Sequence, residues 1–428
     1  MIIDLTISNF RSFRDEQMLS MNVEGARTRH PSNFSLIEDD RIAVLRSAAI
    51  FGANASGKTN VLRALAALRW IIVSSAGRKE SQSIPPYEPF RLSPTHAELP
   101  VVFEVEFVVP TGGRYRYEVA FLRQRIVEER LISFARRSRA TVFERLPKDT
   151  WETIKFGGTF KGGTRKFAFF DNAAYLSRAG NDASSPDFIR EIYKYFESMI
   201  YVPAGHGMFS HRDLNNPKMM DAVSELICLA DTGVVRVSME ENASADDIRL
   251  PDDIPDDLKE AILYQNRMVA KFWMKSGSDD PIPFEDDDIS HGTSRLFELL
   301  PVILRTLESG SILSLDEIDA HLHTNLVNLI ILLFHDDDVN TKGAQLLFST
   351  HDTNILDEAY MRRDQIWFVS KDDGASSLRC LGEYDKKYVR QDSPFEAFYR
   401  DGRLGALPRL QYAKVKQVLL NALNAIRV

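Results

Sequence analysis

A chain of 428 residues, 44% apolar and 27% charged, is long enough for one large soluble domain or two ordinary ones. A net charge of −8 excludes a surface that is one continuous footprint for nucleic acid, while leaving room for a local basic groove. Its two cysteines, Cys228 and Cys380, stand far apart and exclude a disulfide framework or a thiolate zinc site. The opening MIIDLTISNFRSF has no basic region followed by a long apolar stretch, so it is not a signal peptide. The most apolar run, Leu326–Phe334, is interrupted by Asn328 and falls short of the ~20 residues that span a bilayer. A soluble cytoplasmic protein is expected.

Ile2–Ile7 alternates and is β-branched, which predicts a strand, and Ala48–Phe51 predicts a buried strand running into a glycine-rich loop. Val61, Leu62, Leu65, Leu68 and Ile72 then recur at helical spacing. Val101–Val109 and Arg114–Leu122 flank the hairpin signal Pro110-Thr111-Gly112-Gly113; Arg125–Arg136 and Thr141–Glu144 extend the pair into an antiparallel β-layer. From about 185 to 276 the pattern turns helical. Phe188, Ile192, Phe196 and Ile200 predict one apolar helix face, and Met220, Val223, Leu226 and Ile227 another. The acidic stretch Pro251–Asp257 reads as a linker, and a helix is predicted over Asp257–Lys275. No sustained heptads and no fixed repeat are present, which argues against a long coiled-coil arm. The last third returns to α/β character, with helices over Ser294–Glu308 and Thr324–Phe334 and strands over Ser311–Leu315, Gln345–Ser349 and Ile366–Ser370. Continuous apolar strands alternating with helices predict an α/β fold with a mixed, mostly parallel sheet covered on both faces. The tail Val415–Ile426 has an amphipathic helix pattern without a strongly basic face, so a packed terminal helix is expected rather than a membrane anchor.

Gly52-Ala53-Asn54-Ala55-Ser56-Gly57-Lys58-Thr59 fits the phosphate-loop pattern G-x-x-x-x-G-K-[ST], with a predicted strand before it and a helix after it. Its backbone N–H groups turn towards phosphate oxygens, and the helix that follows offers its positive end to the same anion. Lys58 is expected on the β- and γ-phosphates and the Thr59 hydroxyl on Mg²⁺. The ATP-binding set is therefore Gly52, Asn54, Ala55, Ser56, Gly57, Lys58 and Thr59, with Asn60 next to it on the helix.

Ser311–Leu315 leads into the adjacent carboxylates Asp316 and Glu317. A lone Asp-Glu pair reads as a helix cap. Paired with a phosphate loop far upstream, Asp316 reads as a Mg²⁺ ligand and Glu317 as the base for the attacking water. Ser290-His291-Gly292-Thr293 precedes a helix and makes a second anion-binding end. Phe348-Ser349-Thr350-His351-Asp352 puts His351 at the carboxyl end of a strand, where α/β sheets keep their ligands. Asp286–Asp288 lacks regular ligand spacing and reads as a solvated loop.

In this order the motifs resemble the ABC class of P-loop ATPases, in its SMC/RecF-like branch. The resemblance implies that the Ser290, Gly292 and Thr293 signature of one copy covers ATP held by another. It also implies that Ile318–His323 is the D-loop, with Asp319 acting in trans, and that His351 is the switch histidine, catalytic beside Glu317 and Lys58. Ser8-Asn9-Phe10-Arg11-Ser12-Phe13 resembles the branch's N-terminal turn, which implies Arg11 near the adenine or α-phosphate. Tyr115–Leu131, Leu229–Val234 and Tyr399–Pro408 narrow the likeness to compact AAA-type relatives of the OLD and RecF ATPases from bacterial anti-phage and abortive-infection loci. That likeness covers almost the whole chain. It implies an N-terminal ATPase lobe over 1–180, a helical insertion over 181–280 and a C-terminal ATPase lobe over 281–428. It also implies ATP and Mg²⁺ as cofactors, a homodimer or larger assembly, and a sensor or regulator role over a separate effector, toxin or nuclease. The alternative it leaves open is a DNA-repair or DNA-tethering ATPase. The S-H-G-T signature departs from the Gly-Gly-Gln form of transporters and disfavours a transporter subunit. No nuclease constellation is evident, and too little chain follows His351 for a TOPRIM nuclease domain. Gln124 is a candidate for the glutamine that helps hold Mg²⁺ and water, although a surface strand position suits it better.

Overall fold

Two sheets and the helices between them place the nucleotide motifs in the computed structural model. It describes all residues except 39–40, 136–137, 206–213, 215, 231, 242–267, 277–279, 358, 386–392, 405–411 and 427–428. β1 (Ile2–Ser8) and β2 (Gln17–Ser20) are followed by β3 (Phe34–Ile37) and β4 (Ile42–Leu45). β5 (Ser47–Phe51) then enters the phosphate loop and helix α1 (Lys58–Ser74). Next come β6 (Val101–Val108), β7 (Arg114–Leu122), β8 (Arg125–Ala135), β9 (Ser138–Arg145) and β10 (Lys155–Phe156). Helices α2 (Tyr175–Gly180) and α3 (Asp187–Glu197) lead to β11 (Ile200–Val202), α4 (Pro217–Leu229), β12 (Val234–Glu241), β13 (Met268–Met274) and β14 (Ile282–Phe284). α5 (His291–Ser309), β15 (Ile312–Leu315), α6 (Thr324–His335), β16 (Gln345–Ser349), β17 (Ile366–Asp372) and β18 (Ala375–Cys380) carry the second half of the site. The chain closes with α7 (Phe395–Arg400) and α8 (Tyr412–Ile426).

The larger sheet runs β10-β9-β8-β7-β6-β1-β2 and is antiparallel throughout. Its inner face, with Leu5, Ile7, Phe103, Val105 and Phe121, shares one hydrophobic cluster with the α1 residues Val61, Leu62, Leu65, Leu68 and Ile72. Alternating burial along β1 and β7 is what a sheet packed on one side requires. On the other face Arg116 pairs with Glu104 and Glu106, and Arg130 with Glu118 and Glu144. The second sheet runs β11-β15-β16-β5-β17-β18; its first five strands are parallel and β18 is antiparallel. Every residue of β5, β15 and β16 is buried, the signature of strands covered on both faces.

Three sequence expectations are corrected. Residues 268–274 form the strand β13, paired antiparallel with β12 and β14, and not the end of a helix over 257–275; the rest of that range up to 267 lies outside the described residues. MVAKFWM buries Ala270 and Phe272 at a spacing of two, so the β-branched and aromatic content outweighs the helical reading. Ile200 belongs to β11, which joins the parallel sheet beside β15, so the span 181–280 is not wholly helical. The tail helix α8 forms, but its described residues are exposed along their length instead of packed. Pro251–Asp257 lies outside the described residues.

Behind the parallel sheet, the buried His335 ring shares hydrogen bonds with Ser47 (2.9 Å) and Gln365 (3.2 Å). Burial, with Arg46 and His30 adding to it, pushes its pKa from 6.5 down to about 3. The unfolded chain therefore takes up this proton first. The ring's contribution to stability is complete above pH 6.5 and is lost as pH falls towards 3, at about 1.4 kcal/mol per pH unit. Urea unfolding between pH 6.5 and 5 is expected to cost the native protein about 2 kcal/mol more than a His335→Gln variant. Equal losses would show that the ring is not held neutral.

Candidate nucleotide site

The adjacent parallel strands β5, β16 and β15 end at one edge, so their carboxyl ends deliver Gly52, His351 and Asp316 to the same place. At the first strand the chain turns through the phosphate loop. Gly57 has φ +115°, and a Cβ there would lie 2.6 Å from the Ser376 hydroxyl and 2.7 Å from that of Ser12. Only glycine fits a backbone this close to its neighbours. Lys58 opens α1, and its buried ammonium donates to the carbonyls of Gly52 (2.9 Å) and Ala53 (3.3 Å). Burial lowers its pKa, while Glu317, Asp316 and Asp319 act to raise it. The Ser56 hydroxyl is buried in the loop without a hydrogen-bond partner among the described residues. An unpaired buried hydroxyl beside a caged ammonium suits an anion with several acceptor oxygens.

Across this edge, the Thr59 hydroxyl donates to Asp316 Oδ1 at 3.1 Å, joining residues 257 apart in sequence. Ser349 donates to the same Oδ1 at 2.6 Å and accepts the Glu317 N–H at 2.8 Å. The Asp316 N–H is taken by the Val202 carbonyl of β11 at 3.0 Å. Glu317 has φ +52°, a left-handed conformation that costs a non-glycine residue on the order of 1 kcal/mol. Thr59 and Asp316 present oxygens only, the donor set of a hard cation such as Mg²⁺, which takes one or two protein ligands beside phosphate and water. Among the described residues no group of three or more His, Cys, Asp or Glu is placed to hold another metal. Asp286–Asp288 are exposed on a single 3₁₀ turn.

Asp319 accepts the His351 N–H at 3.3 Å on both oxygens. Burial and then Lys58 lower the His351 pKa, against the pull of Asp319, Glu317 and Asp316, which favours the neutral imidazole. On the other flank, Arg11 (φ +53°) grips Glu88 through two bonds of 2.7 and 2.8 Å and donates to Asn60 Oδ1 at 3.2 Å. Asn60 in turn donates to Ser12 at 2.7 Å. Arg11 is thereby fixed beside the first turn of α1.

Ser290 caps α5: its hydroxyl accepts the Thr293 N–H at 3.2 Å and shares a 2.9 Å hydrogen bond with the Thr293 hydroxyl. A Cβ on Gly292 would lie 2.8 Å from the His321 carbonyl. The His291 and His321 rings stand 5.4 Å apart. The signature thus packs on the chain's own 318–323 turn. Among the described residues no hydrogen bond or ion pair ties Ser290–Thr293 to the phosphate loop.

Residues 47–357 match the family described as "AAA domain, putative AbiEii toxin, Type IV TA system". The chain belongs to this AAA ATPase family. No curated protein matches this AAA ATPase by sequence. Among solved structures, the SMC head domain from Thermotoga maritima aligns at 14% identity and a TM-score of 0.38, over 89% of this chain and 98% of that one. The SMC head bound to the C-terminal winged-helix domain of ScpA aligns at 14% identity and 0.41, over 91% and 99%. The recombination mediator protein RecF with ATP, from the RecFOR pathway, gives 12% and 0.32, over 89% and 99%. Likenesses at this level assign no function.

The chain therefore brings together Arg11, Gly52–Asn60, Asp316, Glu317, Asp319 and His351, while among the described residues Ser290, Gly292 and Thr293 make no hydrogen bond or ion pair with them. Gln124 lies on the exposed β7–β8 turn, bonded to the Ser81 carbonyl at 3.0 Å, and is not at the site. Ser349, Glu88 and Ser12 join the site beyond the residues its motifs single out. Ser349 had a signal, being a polar residue that closes an otherwise apolar buried strand. Glu88 and Ser12 had none, because their roles exist only through Arg11, Asn60 and the close approach of Gly57. Among the described residues no helix is long and apolar enough to cross a membrane.

Proposed function

We propose that this AAA ATPase binds ATP with Mg²⁺ and hydrolyses it in composite sites made by two copies. We further propose that it uses this clasp as a sensor or regulator in bacterial anti-phage, abortive-infection defence, acting on a separate effector. The observation that carries the reading is the Thr59–Asp316 hydrogen bond, which joins the two halves of a Mg²⁺ site at the base of the phosphate loop. Lys58 would exchange its carbonyl contacts for the β- and γ-phosphates, and the loop N–H groups would hold the same oxygens. Thr59 and Asp316 would hold Mg²⁺, which supplies charge for the leaving phosphate. Glu317 would take a proton from the attacking water and His351 would steady the γ-phosphate. Arg11 would lie along the nucleotide beside Asn60. Packing of Ser290, Gly292 and Thr293 on the 318–323 turn of the same chain supports a role towards a second copy, with Asp319 at that edge.

A nucleotide held between two copies is a bistable element, and it shifts the equilibrium only through its differential affinity for the open and closed states. The family description, a "putative AbiEii toxin" of a toxin–antitoxin system, supports a place in such a two-component system. The test is phage plating on cells that carry the gene with its genomic neighbour, native or Lys58→Ala. Protection is expected only with Lys58. Equal protection sinks the defence reading. Tight DNA binding by the ATP-bound protein, with a steep salt dependence, would favour the tethering reading instead.

A further inference from the structure

Two unpartnered helix faces remain after the site is accounted for. α8 carries Tyr412, Val415, Leu419, Ala422 and Ile426 at alternating spacings of three and four, one stripe along the helix. Ile426 is 80% exposed and Leu419 56%. A lone helix of 15 residues is marginal in water, so a stripe this apolar calls for a cover. The second face is on α6. Leu329 is 48% and Leu332 41% exposed there, while Leu326 and Leu333 beside them are half-buried and pack against the core.

The charges around the two stripes are opposite. The charged side chains of α8 are Lys414 and Lys416, both near its start. α6 ends in Asp336, Asp337 and Asp338, all exposed, at the negative end of its own dipole. Asp337 also pairs with Arg46 at 2.7 Å, and Asp336 accepts the N–H groups of Asp338 and Val339, which leaves the run acidic overall. Antiparallel packing of α8 on α6 lays one leucine-rich stripe on the other and brings the lysines to the aspartates.

α6 starts directly after the 318–323 turn. Its first residue, Thr324, is tied to Asp352, next to the Thr353 hydroxyl that meets Glu396 and Arg400 of α7. α7 and the start of α6 therefore share the corner of the molecule that carries the 318–323 turn. We propose that α8 of one copy docks antiparallel on α6 of a second copy, forming a reciprocal tail exchange that holds two heads together without nucleotide. The placement of this contact at the nucleotide edge rests on the composite-site reading, whereas the pairing of the two stripes does not.

Cysteine crosslinking tests the exchange in full-length protein without ATP, in a Cys228→Ser background whose remaining Cys380 is buried. A Leu329→Cys chain mixed with a differently tagged Leu419→Cys chain is expected to give a disulfide-linked heterodimer under mild oxidation. Neither chain alone should do so. Leu419→Asp is expected to abolish the nucleotide-free dimer in light scattering, and Lys414→Glu/Lys416→Glu to weaken it, with recovery on adding Asp338→Lys. A native chain that is monomeric at every concentration overturns the proposal. So does a crosslink that forms only within one chain carrying both cysteines, or a dimer indifferent to Leu419→Asp. Because every readout omits nucleotide, failure here leaves the ATP-dependent composite site untouched, and the reverse also holds.

Discussion

Glu317→Gln is expected to lower ATP turnover by about two to four orders of magnitude while leaving ATP binding close to that of the native chain. The substitution preserves shape and the backbone bond from Glu317 N–H to Ser349, so the Asp316–Ser349–Thr59 arrangement stays in place. What is lost is the ability to accept a proton from water. The unchanged residues, Lys58 with its loop and Thr59 with Asp316, are those proposed to hold the nucleotide. ATP should therefore stay bound. Phosphate release and fluorescent-nucleotide binding read the two effects separately. A native chain that hydrolyses ATP no faster than this variant would be an ATP-dependent scaffold, and the enzyme reading would fail.

Ser290→Arg is expected to abolish hydrolysis and spare ATP binding, because Ser290 lies at the start of α5, whose Gly292 packs on the 318–323 turn, and among the described residues it makes no hydrogen bond or ion pair with its own phosphate loop. An arginine at a helix cap also removes the bond to the Thr293 N–H, at a cost of about 1 kcal/mol. Circular dichroism should confirm that α5 survives this loss. The decisive experiment mixes the Ser290→Arg chain with the Glu317→Gln chain, each inactive alone. In a mixed pair, the intact Glu317 of the first chain faces the intact Ser290 of the second, so one of two sites is restored. Turnover should return to a substantial fraction of native activity. If signature and phosphate loop served each other within one chain, mixing would restore nothing. Loss of ATP binding by the Ser290→Arg chain alone would also refute the trans assignment.

The parts of this site that could be read from residues alone are those whose geometry is local. A phosphate loop is a turn between a strand and a helix, so Gly52–Thr59 announces itself within a short stretch. Asp316 and Glu317 are legible because the apolar strand before them fixes which end of a sheet they reach. The N-terminal hairpins were legible for a related reason, since one solvated face imposes alternation on β6 and β7. Contacts between distant segments leave no such imprint. Nothing in the vicinity of Glu88 says that it will hold Arg11, and nothing at Ser12 says that it will crowd Gly57. β13 was misread because seven residues with two aromatics and a lysine fit either period until a partner strand decides between them. The tail failed differently. Its helix was correctly foreseen from its periodicity, but periodicity names a face and not the surface that covers it.

The strand order β16-β5-β17 has a consequence for how this molecule comes into being. The strand that feeds the phosphate loop is made early, yet both its neighbours are encoded some 300 residues later, as the Leu346–Ser47 and Ile366–Ala49 pairings show. A nascent chain holding only its first half carries a complete loop sequence with no walls around it. Long-range pairings of this kind are slow to form, since loop closure must come before any contact repays it. A ribosome stalled midway, or a protease that removes the last quarter, would leave a product unable to hold a nucleotide. The loop is thus silent until translation has nearly finished, and only chains made almost to the end can carry a walled phosphate loop.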